Sequence, residues 1–375
     1  MGTLSDYLSW RGDVPLSLDP FGEVDALLLA ELAYVDLAGL VPAEGAVPIR
    51  AVCAGFFETH SRADLAQRGS SGARAALQLE EMCAGARFGD TRLCRYVSLI
   101  DRARETQFAA VTALLPDGTA FVAFRGTDST LVGWKEDFHL ACLPQTEGQR
   151  RAAAYLDAVG AALDCPLRVG GHSKGGNFAV YAASFCDSAL QDRIEAVWSF
   201  DGPGFRAEVL EADGYRRMLP KISSIVPDTS VIGRLLSSAS VPKVVKSSAS
   251  GVQQHDGFTW VLRRNRFVEA PPTELGLLLE QALGNWLENM DDETRESLTD
   301  TVFSLLEATG QDSFHAMSEQ KWKSAEAVAA SMAWLPKEKR QELWKLATQL
   351  LQSCGQSAAA WLPKMGGTGK MGEKE

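Results

Sequence analysis

Residues 167–189, LRVGGHSKGGNFAVYAASFCDSA, decide the fold. Residues 167–169 predict a short strand, and the residues from Asn177 onward predict a helix. Between them, Gly171-His172-Ser173-Lys174-Gly175 matches Gly-x-Ser-x-Gly, the sharp strand-to-helix turn that carries a nucleophilic serine. Side chains at 171 and 175 would collide with the neighbouring strand and helix, so both positions need glycine. This context favours a catalytic serine over a plain glycine-rich turn. A phosphate-binding loop would need Gly-Lys-Ser/Thr at a spacing that is absent here.

The sequence on either side predicts strands that alternate with helices. Residues 108–124 contain two apolar runs around Pro116-Asp117-Gly118-Thr119, which predicts an antiparallel hairpin. A capping box at 146–149 predicts a helix start, and residues 194–200 and 222–226 predict further strands. This alternation predicts an α/β fold with a mostly parallel sheet flanked by helices.

Both ends of the chain have helical patterns. Apolar residues recur at helical spacing over 24–35. Four further helices are predicted over 273–288, 293–309, 313–334 and 337–353. We therefore expect an N-terminal helical segment packed on the core (1–90), a catalytic core (91–270), a C-terminal helical region (271–355) and a disordered tail (356–375).

A nucleophilic serine needs a general base, and the chain has five histidines. In folds with this turn the chain order is serine, then an acid, then histidine. Four histidines are excluded by position: His60 and His139 precede the serine, His172 lies within the turn, and His315 falls in the helical tail. By elimination we predict His255 as the base.

Two aspartates are candidates for the acid that orients this base. Asp228 follows the predicted strand 222–226, which is the second strand after Ser173. Asp201 ends the intervening strand and is the alternative. We favour Asp228, because the fold places its acid at the carboxyl end of the strand after next.

A second loop carries the features of an oxyanion hole. Phe124-Arg125-Gly126-Thr127-Asp128 follows a predicted strand, and Gly126 would let the backbone approach a substrate. Thr127 offers an N–H and a hydroxyl, and the backbone N–H of Lys174 at the helix N-terminus would be the second donor. We expect Arg125 to brace the loop through ion pairs.

These motifs resemble the class-3, fungal-type lipase branch of the α/β-hydrolases. The resemblance rests on residues 124–127, on GHSKGGN at 171–177, on Asp228 and on His255. The chain is more closely similar to a bacterial Mbeg-like family of unknown function, which has an early helix, both motifs, a Trp-x-Glu-Asp stretch and a helical C-terminus. The resemblance covers about residues 20–350. It implies an α/β-hydrolase-like fold, serine hydrolase chemistry and an oxyanion role for Thr127, without naming a substrate.

Composition restricts the class of protein further. The net charge of −11 argues against a nucleic-acid-binding surface or a polybasic membrane anchor. No apolar run approaches the roughly 18 residues of a membrane span. Seven cysteines without a Cys-x-x-Cys pair, and no secretory signal at the start, predict a cytoplasmic protein. Motifs for metals and dinucleotides are absent, so we expect no cofactor.

The predicted activity is that of an intracellular serine hydrolase. It would cleave a small-molecule carboxylic ester with Ser173, His255 and Asp228 as the triad. An acyltransferase or thioesterase with the same triad, and a non-catalytic scaffold of this fold, are alternatives.

The segment 237–250 lies between the predicted acid and base. It is rich in serine and small residues, which is typical of a mobile loop. We expect a flap over the acyl pocket, with Val244 and Val245 facing the substrate. An ordinary connecting loop is the alternative.

Overall fold

An eight-stranded sheet forms the centre of the molecule. The computed structural model describes residues 2–128, 130–313, 317 and 320–365, and for 321 and 356–365 only the backbone. The eight strands lie side by side in chain order. They are β1 (Ala46–Pro48), β2 (Arg92–Asp101), β3 (Thr106–Leu114), β4 (Ala120–Phe124), β5 (Leu167–His172), β6 (Ile194–Phe200), β7 (Ile222–Pro227) and β8 (Lys243–Val245).

The sheet has an antiparallel half and a parallel half. Strands β1 to β4 pair antiparallel, and the predicted hairpin is confirmed, with Ala110 opposite Phe124. Strands β4 to β8 are all parallel. Parallel neighbours need crossover connections, and helices supply most of them. The α/β-hydrolase-like fold predicted from the sequence is therefore confirmed.

The helices of the N-terminal part and of the crossovers precede residue 220. They are α1 (Leu4–Arg11), α2 (Glu23–Leu32), α3 (Ile49–Thr59), α4 (Arg62–Arg68), α5 (Ser71–Ala84), α6 (Leu131–His139), α7 (Glu147–Ala162), α8 (Lys174–Phe185), α9 (Ser188–Arg193), α10 (Ala207–Glu211) and α11 (Asp213–Met218). The capping box at the start of α7 is present, with the Thr146 hydroxyl accepting from the Gln149 N–H.

Helices cover both faces of the sheet. On β4, Phe121 and Ala123 pack in the cluster that includes α2, whereas Val122 and Phe124 pack in the cluster that includes α7 and α8. This alternation is the period of two expected for a strand buried on both sides. Helix α2 is buried from Val24 to Leu32 and contacts β4, β5 and β6. Helix α2 therefore lies directly behind β5, the strand that carries the Gly-x-Ser-x-Gly turn.

The flap predicted for 237–250 is wrong in its central part. Residues 243–245 form the edge strand β8, with Val244 opposite Val226 and Val245 opposite Pro227. Val245 is fully buried, and the Lys246 N–H donates to the Val268 carbonyl at 2.8 Å. The two valines belong to the sheet and do not face a substrate. A three-residue strand within a serine-rich stretch has too weak a pattern to stand out in the sequence.

The C-terminal part is helical, as predicted. Its described helices are α12 (Glu274–Glu288), α13 (Asp292–Glu307), α14 (Lys321–Trp334) and α15 (Lys337–Met365). Helix α15 continues beyond residue 355, and residues 366–375 lie outside the described part of the chain, as does His315. No helix within the described residues combines the length and the apolarity needed to cross a membrane. A small hairpin, β9 (Leu262–Arg263) and β10 (Arg266–Phe267), precedes α12.

Candidate active site

The turn after β5 holds Ser173 in an unusual backbone conformation. Its φ is 58° and its ψ is −134°. Such a positive φ costs a non-glycine residue on the order of 1–3 kcal/mol and persists only where the surroundings enforce it. The Ser173 N–H donates to the Phe200 carbonyl at 2.9 Å, and the Gly176 N–H donates to the Ser173 carbonyl at 2.8 Å. The turn thus has the strained geometry of a nucleophile elbow.

The two flanking glycines allow the turn to pack closely. A Cβ on Gly171 would lie 2.2 Å from the Gly175 carbonyl carbon, and a Cβ on Gly175 would lie 2.1 Å from the Phe124 carbonyl oxygen. Both obstacles are backbone atoms, which cannot rotate away as a side chain can. The steric need for glycine at both positions, predicted from the sequence, is confirmed.

Lys174 is buried behind the turn and is fully shielded from solvent. Its Nζ donates to Glu136 Oε2 at 2.7 Å and to the backbone carbonyls of Gln107 and Gly133 at 3.2 and 3.4 Å. Glu136 also accepts from the backbone N–H groups of Gln107 and Gly148. This ion pair ties α8 to α6, the helix that follows the predicted oxyanion loop. Sequence reasoning used only the Lys174 backbone and missed its side chain.

His255 lies at the end of a short 3₁₀ helix, Gly251–His255, and pairs with an aspartate. Its Nδ1 lies 2.7 Å from Asp201 Oδ2. Asp201 is fully buried, and its Oδ1 accepts from the Ser230 hydroxyl and from the Gly233 N–H. Two donors besides His255 therefore hold the Asp201 carboxylate in place.

The acid favoured from the sequence is not the one that meets His255. Asp228 accepts from the Thr229 hydroxyl at 3.3 Å, and it makes no hydrogen bond to His255 in the described structure. The reason lies in the sheet order. Asp201 follows β6, the direct neighbour of β5, whereas Asp228 follows β7, one strand farther away. Neighbouring strands lie about 4.8 Å apart, so the strand that precedes Asp201 is one spacing closer to β5 than the strand that precedes Asp228.

Ser173 and His255 lie in adjoining parts of the structure without a hydrogen bond between them. The ring of His255 is 4.7 Å from the ring of His172, the residue before the serine. The Ser173 hydroxyl makes no hydrogen bond to any described residue, so the triad contact is not formed in this structure. Catalytic hydrogen bonds are often long in unliganded enzymes and tighten when substrate is bound.

The predicted oxyanion loop lies against the turn. A Cβ on Gly126 would lie 2.9 Å from Ser173 Cβ, which places the loop backbone beside the serine. The Thr127 hydroxyl donates to Asp137 Oδ2 at 2.5 Å. Burial raises the pKa of Asp137 to about 6, against the lowering effects of Lys174 and of this hydrogen bond. Arg125 pairs with Asp128 at 3.5 Å, the bracing contact expected of it.

The sequence profile of the Mbeg1-like family matches residues 82–304. This chain belongs to the Mbeg1-like family. The matched residues include the serine turn, the predicted oxyanion loop and the Asp201–His255 pair.

Solved structures with a similar backbone are lipases. The crystal structure of M37 lipase has 12% identity and a TM-score of 0.37, and the match covers 58% of this chain and 70% of that one. The Rhizomucor miehei lipase propeptide complex has 17% identity and a TM-score of 0.33, and the match covers 42% of this chain and 57% of that one. The lipase from Rhizopus microsporus var. chinensis has 15% identity and a TM-score of 0.34, and the match covers 58% of this chain and 84% of that one. These scores are too low to say what this Mbeg1-like chain does, and no curated protein matches it.

One cluster in the described part of the chain has donor atoms at the spacing of metal ligands. It consists of Glu105, His139 and Asp300. The Lys135 ammonium lies within it, 2.5 Å from Glu105 Oε1 and 2.8 Å from Asp300 Oδ1. A lysine already supplies the positive charge that these carboxylates need, and the serine turn does not contact the cluster.

Glu31 of α2 is a buried carboxyl behind the serine turn, and no sequence pattern pointed to it. Neither of its oxygens has a hydrogen-bond partner in the described structure, and Oε1 lies 3.6 Å from His172 Nδ1. Burial, with a further contribution from the charge of Asp256, raises the pKa of Glu31 to about 8. The protonated, uncharged form of this carboxyl is therefore favoured at neutral pH.

We expect Gly175→Ala to destabilise the protein by about 1–3 kcal/mol or more, because the new methyl group would overlap the Phe124 carbonyl. The matched control is Gly284→Ala in α12, where a Cβ would meet nothing within 4 Å. That substitution should stabilise the helix by about 0.5–1 kcal/mol. Urea unfolding of both variants measures the difference, and equal stabilities would contradict the steric account.

Glu31→Gln should change how stability depends on pH. A raised pKa means that the folded state keeps a proton which the unfolded state has lost, so wild-type stability falls as pH rises toward about 8. The glutamine variant cannot lose this proton and should lose less stability between pH 6.5 and 8.5. Urea unfolding at both pH values tests this, with exposed Glu44→Gln as the control. Parallel curves for Glu31→Gln and wild type would refute the assignment.

Proposed function

We propose that this Mbeg1-like chain is a serine hydrolase that cleaves carboxylic esters through an acyl-enzyme on Ser173. The observation that carries the proposal is the 2.7 Å contact between His255 Nδ1 and buried Asp201, beside a serine held in a strained strand-to-helix turn. Relative to the sequence prediction, the triad is Ser173, His255 and Asp201, with Asp201 in the role first given to Asp228.

The Asp201 contact defines which ring nitrogen of His255 acts as the base. An ionised carboxylate only accepts hydrogen bonds, so Nδ1 carries the ring proton and donates it to Asp201. Nε2 is then left with a lone pair, which is the tautomer a general base needs. The same carboxylate stabilises the imidazolium that forms when Nε2 takes a proton.

The reaction would proceed in two halves. Ser173 Oγ bonds to the ester carbonyl carbon while its proton passes to His255 Nε2, and the π electrons move to the carbonyl oxygen. The intermediate collapses, the carbon–alkoxide bond breaks, and Nε2 returns the proton to the leaving alcohol. Water then attacks the acyl-enzyme with His255 again as base, which releases the carboxylic acid and restores the serine.

Two backbone N–H groups are suited to receive the oxyanion. Those of Thr127 and Lys174 have no hydrogen-bond partner among the described residues, and the Gly126 loop lies against Ser173. The Thr127 hydroxyl has one proton, which it donates to Asp137, so we assign the Thr127 contribution to its N–H. Asp137 then acts as a positioning residue for this loop.

The buried Lys174–Glu136 pair holds these two donors in register. Lys174 begins α8 and carries one donor, while Glu136 lies on α6, which directly follows the loop with the other donor. Preorganised donors of this kind stabilise developing charge without paying for reorganisation during the reaction.

Labelling with a fluorophosphonate tests the nucleophile. Wild type should form a covalent adduct on Ser173, and Ser173→Ala should form none because the attacking oxygen is gone. Ser184→Ala, a buried serine on the same helix whose hydroxyl donates only to the Val180 carbonyl, should label as wild type does. Intact-mass spectrometry reads out the adduct. Equal labelling of wild type and Ser173→Ala, or none of either, would count against a serine hydrolase.

Two asparagine variants test the acid. Asp201→Asn should lower kcat for a p-nitrophenyl ester by roughly 10³- to 10⁴-fold, because the amide no longer enforces the productive His255 tautomer. Asp228→Asn should change kcat by less than about threefold, within the effect of an ordinary substitution outside the site. A larger loss in Asp228→Asn than in Asp201→Asn would restore the acid favoured from the sequence.

A further inference from the structure

His172, the residue before the proposed nucleophile, has its ring between two partners. Its Nε2 lies 2.6 Å from the backbone carbonyl oxygen of His255, and its Nδ1 lies 3.1 Å from the Tyr34 hydroxyl. The ring is buried, with about 5% of the side chain exposed. None of these contacts takes part in the mechanism given above.

The partners determine where the ring proton of His172 lies. A carbonyl oxygen accepts only, so Nε2 must carry the proton and donate to His255. Nδ1 of the neutral ring then accepts from the Tyr34 hydroxyl. Burial and the charge of His255 lower the pKa of His172 to about 3, which keeps the ring neutral.

We propose that His172 is a positioning residue that anchors the backbone of the general base His255, with Tyr34 fixing the His172 tautomer. This inference rests on the proposed hydrolase function. It assigns the histidine of the serine turn and a tyrosine from the N-terminal segment to the support of catalysis.

The base needs such an anchor because of where it lies. His255 ends a 3₁₀ helix of five residues, in which Gln254 is buried and accepts from the Thr229 N–H at 2.8 Å, whereas Val252 is 76% exposed. Asp201 holds the ring at Nδ1, but a single contact leaves the ring free to swing about it. A second contact at the His255 carbonyl fixes the main chain, and together the two contacts define where Nε2 points.

Glu31 shows why the neutral state of His172 matters. At 3.6 Å from Nδ1 it is too far to compete with Tyr34 for a hydrogen bond, and its raised pKa favours the uncharged carboxyl at neutral pH. A charged Glu31 would favour an imidazolium at His172, 4.7 Å from the ring of His255. That positive charge would oppose the imidazolium that His255 must become in catalysis.

The main test compares two substitutions of His172. His172→Leu removes the donor, and His172→Gln places an amide N–H near the position of Nε2. We expect His172→Leu to lower kcat about 10- to 100-fold with KM within about threefold, because a shift of about 1 Å in a catalytic group costs that much. His172→Gln should recover most of the loss. Equal kcat losses in both variants, or no loss in His172→Leu, would overturn the proposal.

A matched pair of tyrosine variants tests the tautomer. Tyr34→Phe removes the donor to Nδ1 and should lower kcat by less than His172→Leu does. Tyr155→Phe removes a buried hydroxyl with two partners elsewhere, Thr112 and the Arg95 carbonyl, and should leave kcat unchanged. Urea unfolding of each variant compares their stabilities. Unchanged kcat in Tyr34→Phe would remove Tyr34 from the proposal.

A measurement without substrate separates this inference from the proposed function. ¹⁵N NMR of the histidine rings in Ser173→Ala should show His172 protonated at Nε2 and unprotonated at Nδ1. When Tyr34→Phe is added, we expect a mixture of the Nε2-protonated and Nδ1-protonated tautomers. Protonation at Nδ1 would refute the anchor even in an active enzyme. If wild type neither hydrolyses esters nor reacts with a fluorophosphonate, the hydrolase proposal fails, and the NMR result still decides whether His172 holds His255.

Discussion

The buried ion pair between Lys174 and Glu136 is the constraint on which the site depends. Both side chains are buried, and the Lys174 Nζ and both Glu136 carboxylate oxygens have hydrogen-bond partners. Removing one member of such a pair typically costs about 3–5 kcal/mol, because the other charge stays buried alone. The pair links α8 to α6, β3 and the start of α7, and it thereby ties the serine turn to the proposed oxyanion loop.

Around this pair the site holds carboxyl groups in different environments. Asp201 receives three hydrogen bonds, including the one from His255. Asp137 has a single hydroxyl donor and a pKa raised to about 6, and Glu31 has no donor and a pKa raised to about 8. The proposed mechanism needs a negative charge only beside His255, where an imidazolium forms. The other two carboxyls are buried where their neutral forms are favoured at mildly acid pH.

The local parts of this arrangement were predictable from the sequence and the long-range parts were not. The Gly-x-Ser-x-Gly turn, the hairpin and the C-terminal helices depend on neighbouring residues, and their patterns predicted them. The choice between Asp201 and Asp228 depends on which strand lies next to β5, and that order is a property of the whole sheet. Strand β8 was missed because three residues carry little periodicity, and the pairing of Glu136 with Lys174 was missed because the two residues are 38 positions apart.

The position of helix α2 explains why the residues around the site extend beyond the part of the chain that matches the family. Residues 82–304 contain the proposed triad and both oxyanion donors, but Glu31 and Tyr34 come from α2 and the turn after it. Because α2 fills the face of the sheet behind β5, its C-terminal end must meet the serine turn. At this buried end of α2, a polar side chain is costly unless it is hydrogen-bonded, and a charged one costs more. Tyr34 satisfies this by bonding to His172, and Glu31 satisfies it by keeping its proton. The helix that completes the core thereby also brings Tyr34 and Glu31 against the ring of His172, the residue next to the proposed nucleophile.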